Sequence, residues 1–255
     1  MLRPLARRLL PVPVRVALLQ WPQMLALLRL PRLRVGIPPE HVVTAHSSPL
    51  RRERTSYEES WQRAKETNVR RAVAAFDGLV LEPGALFSWH RHLGPPLRLR
   101  GFAAGPELHD ERLASGGGGG LCQVANLLFF LGVTAGLEIV ERHRHGLDLF
   151  PDDSRTVPFG CGATVFFPRK DLKLRNTSGA TLTLSLRVDE HSLHGEFRAH
   201  TPLTHRCELV ERGHRFETDS DGTRWRSNTL YRRWHHSDGS TRDEWLADNR
   251  ARVAW

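Results

Sequence analysis

Residues 115–123, Ser-Gly-Gly-Gly-Gly-Gly-Leu-Cys-Gln, place Cys122 where a run of five glycines gives way to an apolar helical pattern. A helix start turns unpaired N–H groups and partial positive charge outward, and both favour a thiolate. Downstream, Glu-Arg-His-Arg-His sets His143 and His145 two residues apart. A helix-opening thiol with an imidazole on a neighbouring strand is the nucleophile and base of several cysteine hydrolases and acyltransferases. His143 is the favoured base and His145 the second. Of the three aspartates that follow the histidines, Asp148 is favoured by proximity to orient the imidazole, ahead of Asp152 and Asp153, which read as a solvated turn. Gln123 and the backbone from Gly119 to Cys122 are the candidate oxyanion donors. Gly118, Gly119 and Gly120, with Asn126 and Arg142, are the candidate binding residues. The competing reading is a buried cysteine that caps a helix, with the glycines present for close packing.

Other chemistries find less support. His90 and His92 repeat the His-x-His spacing, but the chain carries 14 histidines and no Asp or Glu stands at a firm ligand spacing, so no metal site is expected. No Gly-Lys-Ser/Thr follows the glycines and no dinucleotide fingerprint is present, so no cofactor is expected. Cys122, Cys161 and Cys207 are odd in number and lack a Cys-x-x-Cys pair, which argues against a disulfide framework or zinc knuckle. Cys161 and Cys207 lack an electropositive helix start and should be slow thiols.

Residues 122–136 are apolar around most of a helix circumference, the pattern of a helix buried on nearly all sides and closed by Gly136. A first helix is expected from an N-cap at Ser56 to Phe76, with Trp61, Ala64, Val69, Ala72, Val73 and Phe76 on one face. Short strands follow at 79–81 and 85–89 around a Pro83-Gly84 turn. Alternation over 137–145 puts Ile139, Glu141, His143 and His145 on one strand face. Further strands are read at 163–167, 171–176, 181–188 and 195–200, with a strand-like text from Cys207 on and turns at Asp219–Gly222 and Ser237–Gly239. The order predicts an α+β fold, its central helix packed on an antiparallel sheet, with a strand-rich C-terminal region. Three segments result: a basic amphipathic arm and linker over 1–54, an α+β core over 55–200 and a strand-rich extension over 201–255.

With 37 Lys and Arg against 28 Asp and Glu the formal charge is +9. That favours acidic partners, and nucleic acid rests on basicity alone. The arm interleaves apolar residues with arginine, its uncharged stretch is too short to span a bilayer, and it lacks a small-residue cleavage site. A cytoplasmic protein is expected, with residues 1–35 in contact with the inner membrane surface or packed on the domain.

The string from Gly116 to Asn176, opening Gly-Gly-Gly-Gly-Gly-Leu-Cys-Gln and continuing through Glu-Arg-His-Arg-His, resembles the VanW family, as does the upstream stretch 65–89, over about residues 60–200 together. Two departures stand out. Gly146 replaces a Ser common after the second His, and Gly162 precedes Ala-Thr-Val where a longer branch of the family often has Asp. The resemblance implies a cell-wall and glycopeptide-resistance context. Together with the residues it points to a cysteine-dependent acyl-transfer enzyme, amidase, peptidase or transpeptidase-like, on a wall-related peptide or amide. The alternative is a non-catalytic protein that binds a wall precursor or the membrane surface.

Overall fold

The computed structural model describes residues 12–51, 59–109, 112–148 and 156–255, and the fold is α+β. Ser56, Asp152 and Asp153 lie outside the described residues. The apolar segment 121–134 forms helix α4 (Leu121–Thr134), against which the remaining layers close. Helix α2 (Glu59–Phe76) buries Asn68, Val69, Ala72, Val73 and Phe76 against it.

A four-stranded antiparallel sheet covers another side of α4. Its order is β1 (His41–Pro49), β10 (Ser192–Ala199), β9 (Leu182–Val188) and β2 (Val80–Leu81). Residues 41–49, expected as part of an irregular linker, are therefore an edge strand, because their alternating side chains meet β10 from His41↔Ala199 to Pro49↔Ser192. A smaller sheet pairs β3 (Leu86–Ser88), β8 (Lys173–Arg175) and β6 (Glu138–Glu141). The hairpin of β4 (Gly105–His109) and β5 (Arg112–Gly116) leads into the glycine run.

Residues 205–253 form a long antiparallel meander, β11 (His205–Thr218), β12 (Arg224–His236) and β13 (Thr241–Val253), with both hairpin turns where the turn residues put them. The short β7 (Leu147–Asp148) joins its edge in parallel to β13. Asp148 and Arg226 form a buried ion pair at 3.1 Å that ties β7 to β12. One expected strand is absent and another is cut short. Residues 163–167 are irregular, and β6 stops at Glu141 after a register shift, so 142–145 leave the sheet before either histidine.

Helix α1 (Val12–Arg29) contains Pro22, and Arg91 Nε donates to the Leu30 carbonyl at 2.6 Å just beyond it. Trp21, Leu25 and Leu28 are exposed, as are Val35 and Ile37. No helix among the described residues is long and apolar enough to cross a membrane. Helix α3 (Trp89–Leu93) is a single turn capped by Ser88.

Asn68 of α2 is the polar pin between these parts. Fully buried, it donates to the carbonyls of Ala103 (2.9 Å) and Gly119 (2.8 Å) and accepts from the Ala103 N–H (2.8 Å). Asn68→Ala leaves those buried backbone groups without partners, at about 1–3 kcal/mol for an unsatisfied group. Urea denaturation should show at least that loss. A change below about 0.5 kcal/mol, the range of ordinary surface substitutions, would contradict the assignment.

Candidate functional site

Cys122 is placed by a helix that has no freedom to rotate: Leu121, Val124, Ala125, Leu127, Leu128, Phe129, Leu131 and Val133 of α4 are all buried. Gly120 is its N-cap, at φ +88° in the left-handed region. The glycines before it are needed for contact with the chain itself. A Cβ on Gly119 would lie 2.3 Å from the Gly105 carbonyl carbon, on Gly118 2.5 Å from Glu107 Oε1, and on Gly120 2.4 Å from Lys65 Cγ. The polar groups are committed as well. The Gly118 N–H donates to the Glu107 carboxylate, the Gly119 N–H to the Gly116 carbonyl at 3.3 Å, and the Leu121 N–H to the Gly118 carbonyl at 3.0 Å. Gly118, Gly119 and Gly120, read from the sequence as candidate binding residues, are closely packed against the chain itself.

The face of α4 that carries Cys122 also carries Asn126 and Phe129, at positions i, i+4 and i+7. Residues 160–165 cross this face as a cover. Asn126 Oδ1 accepts from the Ala163 N–H at 2.8 Å, and the Thr164 N–H donates to the His143 carbonyl at 2.8 Å. Arg142 lies over the Phe129 ring, 4.3 Å from its centroid, and donates to the carbonyls of Gly162 (2.7 Å) and Gly160. Gly162 is matched to this crossing, since a Cβ there would stand 2.4 Å from Asn126 Oδ1. Asn126 and Arg142, the other candidate binding residues, both bond to the cover.

The thiol differs from expectation in its protonation. Burial pushes the Cys122 thiol up, the Glu107 carboxylate adds to this, and the Val165 N–H and the Lys170 ammonium oppose it. The helix start does not outweigh the lost hydration. Burial, reinforced by Lys170, pushes His145 down to about 4, so its imidazole is neutral at neutral pH. One ammonium, Lys170, thus acts on both Cys122 and His145.

His143 has a different setting. Its Nε2 lies 2.9 Å from Glu141 Oε1, and the other oxygen of Glu141 accepts from Lys173 Nζ at 2.7 Å. It lines a cavity of about 300 Å³ with Arg142, Arg144 and Phe129. The two histidines do not share a strand face, because the strand ends before them. The carboxylate on His143 is Glu141, while Asp148 is committed to Arg226. Gln123 is turned away as well, its Nε2 donating to Ser48 Oγ (3.0 Å) and the Pro49 carbonyl (2.8 Å), which fixes the end of β1.

His90 and His92 serve the small sheet. His92 Nε2 accepts from the Leu33 N–H at 3.0 Å, leaving Nδ1 to donate to the Ser88 carbonyl at 2.8 Å, and His90 Nε2 bonds the Lys170 carbonyl at 2.8 Å. Cys161 and Cys207 are buried, and burial pushes the Cys207 thiol up to about 11. Sequence reasoning missed Glu141, Glu107 and Lys170 as members of the site. Glu141 had a signal, since it stands two residues before His143 in the alternating pattern. Glu107 and Lys170 had none.

A family model described as VanW like protein matches residues 64–198, more than half of the chain. The chain belongs to the VanW family. It is similar to the vancomycin B-type resistance protein VanW of Enterococcus faecalis (strain ATCC 700802 / V583), with 28% identity over 142 residues, 56% of this chain and 52% of that protein. It is also similar to the uncharacterized protein YoaR of Bacillus subtilis (strain 168), with 32% identity over 124 residues, 48% of this chain and 38% of that protein. The chain therefore spans about half or less of the length of these relatives. No solved structure matches it. The VanW region contains Cys122, the cover, both histidines and Lys170, whereas β11–β13 lie outside it.

Burial holds His46, His90, His92, His145 and His205 below the ordinary imidazole value of 6.5. As pH falls from about 6.5 towards 4, the unfolded chain takes up protons that these folded-state imidazoles refuse, so stability is lost across that window. The urea midpoint should be lower at pH 5 than at pH 7, with His145→Gln removing part of the difference. A midpoint that is flat or rises on acidification would contradict this.

Proposed function

We propose that the protein is a thiol-dependent acyl-transfer enzyme, of transpeptidase or amidase type, acting on cell-wall-related peptides. The observation that carries the reading is that one ammonium, Lys170, bears both on the Cys122 sulfur, which the Val165 N–H faces, and on a neutral imidazole, His145. The relative's name, a vancomycin resistance protein, supplies the wall context.

Cys122 is the nucleophile and His145 the base in this reading. The thiol proton passes to the imidazole, and the thiolate attacks the acyl carbonyl to give a tetrahedral oxyanion. Collapse expels an amine, which takes the proton back from His145 and leaves a thioester on Cys122. An acceptor amine or water then attacks the thioester, loses its proton to His145, and returns the thiol. The Val165 N–H and the Lys170 ammonium favour the thiolate once burial is relieved, so departure of the 160–163 part of the cover as substrate enters, with Val165 left in place, is part of the cycle. Glu141 holds His143 beside this path, in a positioning role.

Incubating the protein with short wall peptides, followed by acid quench and intact mass measurement, should reveal an acyl adduct on Cys122. Cys122→Ala should abolish it. His145→Ala should slow its formation by about 10²–10⁴, the usual contribution of a general base. His143→Ala should cost less. Peptide binding without any adduct, unaffected by Cys122→Ala, would overturn the reading in favour of a non-catalytic wall-precursor binding protein.

A further inference from the structure

The cavity at the Phe129 end of this face is lined by two guanidiniums, neither of which makes a salt bridge to a carboxylate among the described residues. Its volume is about 300 Å³, at the lower end of small-ligand pockets. Arg142 forms one wall. Its Nε and one terminal nitrogen are spent on the carbonyls of Gly162 and Gly160, its flat face lies on Phe129, and it pairs with no carboxylate among the described residues. Arg144 forms another, its hydrogen bonds among the described residues going to Asn249 Oδ1 and the Arg250 carbonyl, each at 3.4 Å. Of the nearby acids, Glu141 is engaged by His143 and Lys173, and Asp248 accepts from Thr229 Oγ1 at 2.7 Å while its charge also acts on Arg144.

Removing a guanidinium from water without an anion is costly, and such charges are usually paired. Here a half-buried guanidinium, Arg142, and a more exposed one, Arg144, border an open space. The remaining walls are Phe129, Ile139 and Leu246, carbon surfaces that leave a small anion half unsolvated and suit an aliphatic group carrying it. Forked guanidiniums match a planar carboxylate in a bidentate way. Phe129 follows Cys122 by seven helical residues, about 10 Å along α4 at 1.5 Å per residue, which is the reach of a short peptide.

We propose that this cavity is a carboxylate subsite that takes the free carboxyl group of a short peptide on a small aliphatic residue, through Arg142 and Arg144. The proposal deepens the acyl-transfer reading and rests on it for the choice of a peptide. Binding is therefore measured in Cys122→Ala protein, where no acyl transfer intervenes, and a failure here leaves the thioester experiment standing.

The probes are the dipeptide Ala-Ala with a free C-terminal carboxylate, its C-terminal amide, and inorganic phosphate, titrated by calorimetry and by NMR shifts of the Phe129 and Ile139 signals. The acid should bind at least about tenfold more tightly than the amide, a margin of about 1.4 kcal/mol. Arg144→Gln, on an exposed side chain, should weaken acid binding about tenfold and leave the amide unchanged, the loss expected for one charge-assisted contact. Arg142→Lys, which keeps the charge but not the fork, should weaken it as well, with thermal melting to verify folding. The proposal is overturned if acid and amide bind alike, if Arg144→Gln leaves the acid unaffected, if nothing binds in the millimolar range, or if phosphate alone shifts these signals.

Discussion

The run from Gly116 to Gly120 passes so close to its neighbours that side chains have no room there. Gly119 lies against Gly105, Gly118 bonds Glu107, and Asn68 of α2 clasps the Gly119 carbonyl. This close approach fixes the first turn of α4 against α2 and the β4–β5 hairpin. Because α4 is apolar on nearly every side, fixing its start also fixes which face turns to the 160–165 segment. Cys122, Asn126 and Phe129 are on that face by helical spacing alone. The glycines thus work at one remove from the chemistry, by orienting the helix that bears the thiol.

Above that face, the cover is held by side chains from α4 and from the segment after β6. Asn126 and Arg142 together secure Gly160, Gly162 and Ala163. The result is a thiol and an imidazole each kept neutral by burial, with Lys170 bearing on both. Both groups stay neutral until hydration or a ligand changes the balance. The C-terminal meander contributes support from outside the VanW region. Through the Asp148–Arg226 pair, whose disruption would cost about 3–5 kcal/mol by the usual behaviour of a buried ion pair, it anchors the segment immediately after His145.

Much of the site can be seen in the sequence because it depends on local rules. The apolar circumference of 121–134 announces a buried helix, and the Gly-to-Cys junction marks its start. The partners are another matter. Gly119 meets a residue on a preceding hairpin, Gln123 meets Ser48 and Pro49, and Asp148 meets Arg226, 78 positions away, and nothing in local spacing encodes these meetings. Strand β1 was hidden by the prolines around it, since its pairing with β10 is a tertiary fact. The strand extended through His145 in the alternation because periodicity carries no sign of the register shift that ends β6 at Glu141.

The claim at the centre is that Cys122, half-buried under the 160–165 segment, is a neutral thiol whose reactivity rises when that segment is loosened. Its alkylation rate by iodoacetamide, followed against pH in a Cys161→Ser, Cys207→Ser background and mapped by peptide mass, tests this directly. The account predicts slow labelling at neutral pH, a half-point above the ordinary thiol value of about 8.5, and a faster rate with a lower half-point in Asn126→Ala, where the cover loses its tie to α4. Rapid labelling of the starting protein with a half-point below that value, unchanged by Asn126→Ala, would contradict it.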